Sequence, residues 1–295
     1  MSAGAEVRFP IAARDGKQRF FCSYKDWKRE LRKPLKQKID DTENIIAERL
    51  GEFGYSLYVA WSGGKDSTLV VHFARKYLPD VPVMFNNTGV EYPETVEYVR
   101  RLAQEWELNL IETKPLMPFW KVVERFGLPE RRSKVGTPQC CRYLKEYPAM
   151  RVIKEKGFKA VMTGITGAEN KQREMLILRR GFCYFAKEEG IQKIHPLYHW
   201  TPQDVLRFYK REGLPLNPIY AKVDRCGCMP CTGHIGWKSK MGRTNPRLLR
   251  HIMRMQGYSS LEDFPPPIEA EAPTSAEEKG KRRATLLDFL TAVME

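Results

Sequence analysis

The sequence predicts an α/β fold with a doubly wound, mostly parallel sheet. Short apolar runs alternate with helix-forming stretches, polar turns follow the runs, and 42% of the 295 residues are hydrophobic, enough for a large core. Buried strands are predicted at residues 57–61, 81–86, 109–113 and 160–163, with helices at 67–77, 93–105 and 143–156. A sheet of this kind binds ligands at the carboxyl ends of its strands.

A short glycine-containing loop joins the first predicted strand to the first helix of the sheet. It reads Ser62-Gly63-Gly64-Lys65-Asp66-Ser67. Two glycines allow a tight turn that gathers backbone N–H groups around one anion, and the helix that follows adds its positive N-terminal end. Serine hydroxyls and a lysine ammonium suit a diphosphate. The loop therefore predicts a binding site for the leaving pyrophosphate of a nucleotide. The alternative is a glycine turn between a strand and a helix that binds no ligand.

The chain is strongly basic, with 50 Lys and Arg against 36 Asp and Glu and a formal net charge of +14. This excess is larger than one nucleotide requires and predicts an anionic partner, with nucleic acid as the first candidate and a generally basic solvated surface as the alternative. Basic residues concentrate at 25–38, 125–134 and 238–254. No apolar run approaches a membrane span and no signal-peptide pattern is visible, so we expect a cytoplasmic protein without a membrane partner.

Seven cysteines, two of them adjacent, predict reduced thiols or metal ligands and not a disulfide framework. Four of them form two groups, Cys140-Cys141 and Cys228-x-x-Cys231. Adjacent cysteines rarely bond to each other because the geometry is strained, but both can ligate one polynuclear centre. Four thiolates also suit a structural Zn²⁺ ion, and the spacing alone leaves both metals open.

Four segments of the chain resemble, in order and approximate spacing, the PP-loop ATP pyrophosphatase superfamily. Within it they resemble the adenylyl-sulfate and phosphoadenylyl-sulfate reductases. The segments are SGGKDS at 62–67, NTGVEYPET at 87–95, CCRYLKEYP at 140–148, and HPLYHWTPQDV through NPIY to GCMPCTGHIGW at 195–237. The resemblance covers about residues 58–236 and implies a fold of the adenine nucleotide α-hydrolase type.

The resemblance implies that ATP and Mg²⁺ bind at the loop and at the turns after later strands. It assigns nucleotide binding to Ser62, Gly63, Gly64, Lys65, Asp66, Ser67, Asn87, Thr88, Gly89, Gly164, Glu169 and Arg173. Lys65 and Arg173 are the predicted catalytic cations and Asp66 is the predicted catalytic carboxylate that faces the metal, because this chemistry depends on positioning and charge neutralisation. Glu91 is a further candidate to orient Mg²⁺.

The resemblance also implies that Cys140, Cys141, Cys228 and Cys231 ligate a [4Fe–4S] cluster. The flanking residues of both groups match the family, which favours iron–sulfur over Zn²⁺. Cys226 stands where the family usually has an apolar residue. We interpret it first as an incidental buried cysteine, with an alternative ligand or a persulfide-carrying thiol as the competing interpretation.

Two departures from the family pattern argue against sulfonucleotide reduction. Thr166 and Asn170 stand where the family places an arginine and a serine around the sulfate, and the loss of a guanidinium weakens recognition of a tetrahedral anion. No cysteine follows Cys231, whereas the reductases carry a nucleophilic cysteine in a C-terminal tail.

With these departures the chain most resembles the ATP pyrophosphatase components of DNA phosphorothioation systems. That resemblance implies an enzyme that adenylylates a nucleic-acid phosphate, DNA in preference to tRNA, and releases pyrophosphate. A cysteine desulfurase would then supply sulfur. Three alternative functions stay open: reduction of adenylyl-sulfate or phosphoadenylyl-sulfate, tRNA thiolation, and noncatalytic binding of nucleic acid as a scaffold. A homodimer is the candidate assembly.

Three regions are predicted along the chain: an N-terminal helical extension at 1–50, a PP-loop domain with the cysteine cluster at 51–237, and a basic, then helical extension at 238–295. Further helices are predicted at 24–35, 39–50 and 200–212, the last opened by Thr201 and Pro202. A proline-rich acidic stretch at 265–276 predicts a linker before a terminal helix at 277–294.

Overall fold

A single six-stranded sheet organises the part of the chain that the computed structural model describes, residues 22–129 and 136–258. Its strands are β1 (Leu57–Trp61), β2 (Pro82–Asn86), β3 (Asn109–Thr113), β4 (Ala160–Thr163), β5 (Cys183–Ala186) and β6 (Ile191–Ile194). The order across the sheet is β3-β2-β1-β4-β6-β5, and only β5 runs antiparallel to its neighbour. The predicted fold class is confirmed.

Helices cover both faces of this sheet. They are α1 (Tyr24–Leu31), α2 (Leu35–Phe53), α3 (Lys65–Tyr77), α4 (Pro93–Glu105), α5 (Phe119–Phe126), α6 (Tyr147–Lys156), α7 (Lys171–Arg180), α8 (Pro202–Glu212), α9 (Trp237–Thr244) and α10 (Pro246–Met255). A helical turn at Gln139–Cys141 and a π-helical turn at Arg142–Glu146 lead into α6, and short 3₁₀ turns lie at Gly54–Ser56 and Pro218–Ala221. Among the described residues, no helix is both long and apolar enough to cross a bilayer.

Alternation along β1 shows how the two faces are filled. Leu57, Val59 and Trp61 belong to the large core cluster on one face, whereas Tyr58 packs in a smaller cluster with Val152 of α6 on the other. Successive side chains of a strand point to opposite faces, so a strand that is apolar throughout must be covered on both. The central position of β1 between β2 and β4 creates the switch point at which such sheets bind ligands.

Most strand bounds agree with the sequence prediction, and two differences have local causes. The basic N-terminal helix ends at Leu31, because Pro34 takes the N-cap position of α2 and separates the two helices. The hairpin of β5 and β6 was not predicted, since its two strands are only four residues each and are only partly buried. The segments 265–276 and 277–294 lie outside the described residues.

The N-terminal helices are anchored in the main core by a buried ion pair. Lys38 of α2 is 1% exposed, and its Nζ lies 2.6 Å from Asp204 Oδ2 at the start of α8. Asp204 also accepts hydrogen bonds from the backbone and hydroxyl of Thr201 in a capping box. Burial alone would raise the Asp204 pKa, but these hydrogen bonds lower it below its ordinary value. Two charges are thus satisfied where water is excluded.

We expect Lys38→Ala to lower the free energy of unfolding by about 3 to 5 kcal/mol, because it leaves the Asp204 carboxylate buried without its cation. Denaturant unfolding measures this loss. The matched control is Lys121→Ala, whose ion pair with Glu124 is 69% and 70% exposed, and which should change the unfolding free energy by less than about 1 kcal/mol. Equal effects of the two substitutions would contradict the assigned role of the pair.

Candidate active site

The loop at residues 62–67 is closed on itself by its two serines. Ser67 Oγ accepts from the Ser62 N–H at 3.2 Å, and the two hydroxyl oxygens are 3.0 Å apart. Gly63 has φ +69°, and a Cβ there would lie 2.9 Å from methyl groups of Thr95 and Val99. Only glycine satisfies both the left-handed backbone and the close approach of α4. The loop is therefore a rigid turn at the carboxyl end of β1.

The end of β4 presses against this loop from the other side of the switch point. A Cβ on Gly164 would lie 2.5 Å from the Ser67 backbone nitrogen and 2.6 Å from the Asp66 carbonyl carbon. Backbone atoms cannot move aside as a flexible side chain can, so this position requires glycine. The contact brings the segment after β4 directly beside the first turn of α3.

A crevice of about 1010 Å³ opens between these two segments. Eight of the predicted nucleotide-binding residues line it: Ser62, Gly64, Lys65, Asp66, Ser67, Gly164, Glu169 and Arg173. The volume is at the upper end of the roughly 300 to 1000 Å³ typical of small-ligand sites. The structure thus brings the loop and the segment after β4 together, as the sequence predicts, and their roles stay predictions.

The charged side chains of the crevice are held in pairs. Lys65 Nζ lies 2.8 Å from the carboxylate of Asp66, and Arg173 is hydrogen-bonded to Glu169. Arg225 also approaches Glu169, with 3.7 Å between Nη1 and Oε1. Burial and the neighbouring Arg225 lower the Arg173 pKa against the opposing pull of Glu169. Two guanidinium groups around one carboxylate leave net positive charge, which suits an anionic ligand.

The segment after β2 is placed differently from the rest of the predicted nucleotide site. Asn87, Thr88 and Gly89 do not line the crevice. The Asn87 amide donates to Glu112 at 2.7 Å, and Thr88 donates to Glu91 at 3.0 Å. A bridge between Glu91 and Cys228 turns this segment toward the cysteines. Contact of these three residues with nucleotide stays a prediction that the crevice geometry does not favour.

Five thiols line a second cavity of about 710 Å³ beside the crevice. They are Cys140, Cys141, Cys226, Cys228 and Cys231. The predicted ligands therefore converge from the Gln139–Cys141 turn and the segment before α9. Four sulfur donors at one cavity fit an iron–sulfur or zinc centre in donor chemistry. Among the described residues, however, no three Cys, His, Asp or Glu side chains stand close enough to hold a metal ion as they are.

Lys145 lines the cysteine cavity and is paired with the buried Glu91. Lys145 Nζ lies 3.4 Å from Glu91 Oε1, and the Cys228 thiol is 3.6 Å from the same oxygen. Burial raises the pKa of Cys228 to about 11, although the Lys145 ammonium acts to lower it. The Lys145 pKa is in turn raised, first by Cys228 and also by Glu91. The Lys145 ammonium therefore lies beside the thiols, where its positive charge would stabilise thiolates.

The two cavities share a wall. Lys145, Asp224, Arg225, Cys226 and Gly227 line both of them. The Cys226 thiol lies 3.8 Å from the Gly63 carbonyl, so it touches the loop itself. A group carried on this wall could reach either cavity.

A comparison with known protein families identifies the family of this chain. The family model of the phosphoadenosine phosphosulfate reductase domain matches residues 56–234, which is more than half of the chain. The chain belongs to the phosphoadenosine phosphosulfate reductase family. The resemblance seen in the four sequence segments is thereby confirmed at the level of the family.

Relatives within the family differ in how much of their length is shared. An uncharacterized protein of Methanocaldococcus jannaschii is 30% identical over 181 residues, which are 60% of this chain and 41% of that protein. An adenosine 5'-phosphosulfate reductase of Geobacillus kaustophilus is 25% identical over 71% of this chain and 88% of its own length. The phosphoadenylyl-sulfate reductase of Candida auris, solved with phosphate, has a TM-score of 0.52 at 20% identity over 70% of this chain and 96% of its own. That structural likeness shows the fold.

Three residues that brace the loop of this family member were not assigned roles from the sequence. The Asn217 amide donates to the Gly63 carbonyl at 2.9 Å, the Tyr220 hydroxyl accepts from the Lys65 N–H at 3.0 Å, and the Tyr209 hydroxyl donates to the Lys65 carbonyl at 2.7 Å. Asn217 and Tyr220 belong to the NPIY segment, which matched the family pattern. That match was the available signal, and it carried no indication of the partner.

We expect Gly164→Ala to lower the free energy of unfolding by about 1 to 3 kcal/mol, because its Cβ would overlap the backbone of the loop. Thermal or denaturant unfolding measures this effect. The control is Gly51→Ala in α2, where a Cβ meets nothing within 4 Å and where alanine should stabilise the helix by about 0.5 to 1 kcal/mol. A Gly164→Ala protein as stable as the wild type would contradict the close contact.

Proposed function

We propose that the protein is an ATP pyrophosphatase that transfers AMP to a phosphate of nucleic acid and so prepares that phosphate for sulfur incorporation. One observation carries the proposal: the loop-lined crevice and the thiol-lined cavity share a wall. A nucleotide bound in one cavity and sulfur carried in the other would meet at this shared wall. Membership of a family that includes sulfonucleotide reductases is consistent with sulfur chemistry at such a site.

The loop would hold the β- and γ-phosphates of ATP. Its backbone turns at the N-terminus of α3, where the helix dipole favours an anion, and Ser62 and Ser67 add hydroxyls. Asp66, which neutralises Lys65 in the structure, would ligate Mg²⁺ and leave the ammonium for the phosphates. Mg²⁺ bound there would neutralise charge on the departing pyrophosphate.

The first step forms a bond between an acceptor phosphate oxygen and the α-phosphorus and breaks the bond to the β-phosphate oxygen. Pyrophosphate leaves with its electron pair. Arg173 and Arg225 surround Glu169 on the crevice wall, and an anion at this position would draw one or both guanidinium groups from the carboxylate. Such charge neutralisation is the main protein contribution to phosphoryl transfer.

The second step exchanges AMP for sulfur. A hydrosulfide or persulfide sulfur attacks the activated phosphorus, a P–S bond forms, and the P–O bond to AMP breaks. A persulfide donor of the cysteine desulfurase type then requires a second thiol, which cleaves the S–S bond and becomes part of a disulfide. Cys140, Cys141, Cys228 and Cys231 would hold a [4Fe–4S] cluster, which would supply electron-transfer chemistry beside the crevice.

Reduction of adenylyl-sulfate is the second candidate function. It is favoured by the Geobacillus kaustophilus relative with that name, which aligns over 71% of this chain. Against it, Thr166 occupies the position of the family arginine and is 3% exposed, with its carbonyl accepting from the Glu169 N–H. A short buried hydroxyl side chain offers no bidentate grip on sulfate.

We expect ATP to be cleaved to AMP and pyrophosphate, and Lys65→Ala to lower kcat/KM for this reaction by about 100-fold, because it removes a cation from the departing phosphates. A coupled pyrophosphate assay with chromatography of the nucleotides measures both. The control is Lys76→Ala at the other end of the same helix, about 16 Å away along its axis, which should keep wild-type activity. Formation of ADP and inorganic phosphate would contradict the proposal.

The acceptor is identified in the same assay. DNA should stimulate pyrophosphate release and acquire phosphorothioate sulfur when a persulfide donor is added. Stimulation by tRNA alone would select tRNA thiolation, and sulfite formation from adenylyl-sulfate with a thiol would select reduction.

We expect anaerobically purified protein to contain iron and acid-labile sulfide, and Cys228→Ser to lose most of both, because it removes one of four proposed ligands. Metal analysis and the visible absorption spectrum measure this. The control is Cys183→Ser, because Cys183 lies on β5 and does not line the cysteine cavity. Zinc without acid-labile sulfide in the wild-type protein would contradict the proposed cluster and indicate a structural zinc site instead.

A further inference from the structure

A tyrosine with two lysines forms one rim of the crevice. Tyr24 is 51% exposed, and its ring has Lys28 Nζ at 5.1 Å and Lys171 Nζ at 5.6 Å from the centroid. All three side chains line the crevice that contains the loop. We call them the aromatic rim. Its residues come from α1 and from the first turn of α7, two elements far apart in the sequence.

The buried Trp27 side chain holds the aromatic rim in place. Trp27, one turn along α1, is 1% exposed, and its indole N–H donates to Glu174 at 3.2 Å. A Cβ on Gly167 would lie 2.6 Å from the Trp27 ring, so the loop after β4 fits tightly over it. Tyr24 and Lys28 are four residues apart and therefore share a face of the helix. Anchoring Trp27 in the core thus directs this face to the crevice.

Charge at the aromatic rim is positive. Lys171 is paired with Glu174, 2.5 Å from Nζ to Oε2, and the same carboxylate accepts from Trp27. The Glu174 carboxylate therefore serves Lys171 and the Trp27 indole, and the Lys28 ammonium adds a second positive charge beside the Tyr24 ring. An exposed aromatic ring flanked by ammonium groups is the combination with which proteins bind unpaired nucleotides, the ring stacking on a base and the cations contacting the adjoining phosphates.

We propose that the aromatic rim binds an unpaired nucleobase of the nucleic-acid acceptor, with Tyr24 stacking on the base and Lys28 and Lys171 contacting its flanking phosphates. This inference rests on the proposed function and adds where the acceptor enters. Bases inside a duplex have no free face for a protein ring, so the acceptor is a single strand or a locally opened duplex. The crevice is large enough to admit one such nucleotide beside ATP.

The test uses the full chain and a short fluorescein-labelled single strand of DNA, followed by fluorescence anisotropy. Tyr24→Ala should weaken binding by roughly 5- to 150-fold, the loss typical of one stacked base. Tyr24→Phe should stay within about 2-fold of the wild type, because stacking uses the ring and not the hydroxyl. Lys28→Ala should reduce the slope of log affinity against log salt by about 0.7, as expected for one lost phosphate contact on a single strand.

The matched control is Tyr77→Ala. Tyr77 is 44% exposed and ends α3 at the pole opposite the loop, so its removal tests general surface effects. It should bind DNA like the wild type. Wild-type affinity in Tyr24→Ala, or an equal loss in Tyr77→Ala, would overturn the inference.

A second measurement separates the acceptor base from the adenine of ATP. The KM for ATP without nucleic acid should be unchanged in Tyr24→Ala. A raised KM with unchanged DNA affinity would overturn the inference in favour of adenine stacking. If the proposed function is wrong, the wild-type protein will release no pyrophosphate from ATP. If only this inference is wrong, pyrophosphate release will be intact and Tyr24→Ala will not change DNA affinity.

Discussion

The contact between the end of β4 and the first turn of α3 is the constraint on which the site depends. Gly164 lies so close to the backbone of Asp66 and Ser67 that no side chain fits between them. This contact sets the width of the crevice. The loop after β1 lines one side of the switch point, and the segment with Glu169 and Arg173 lines the other. Catalysis by positioning needs such rigidity.

Local pattern was sufficient for much of the fold and for the turn at the 62–67 loop. Apolar runs at β1, β3 and β4 coincide with the observed strands, and the loop between β1 and α3 has the turn that its glycines predict. These features depend on neighbouring residues only. The β5 and β6 hairpin escaped prediction because its strands are short and are defined mainly by their partners across the sheet.

Long-range contacts explain what the sequence did not reveal about the site. Asn217 supports the carbonyl of Gly63, 154 positions earlier, and nothing in its local sequence indicates that partner. The segment at 87–89 follows a strand end, which suggested the nucleotide crevice. Its actual direction is set by the bridge from Glu91 to Cys228, a pairing that only the folded chain defines. Trp27 likewise acts through its fit beneath Gly167.

Lys145 belongs to both compartments and therefore connects their occupancy. The Lys145 side chain lies beside Glu91 and the Cys228 thiol on one side and lines the crevice at the 62–67 loop on the other. Whatever attracts this single cation toward one compartment withdraws it from the other. Any ligands that occupy the two cavities together are therefore coupled through Lys145, and thermodynamic linkage requires each to change the affinity of the other by the same factor.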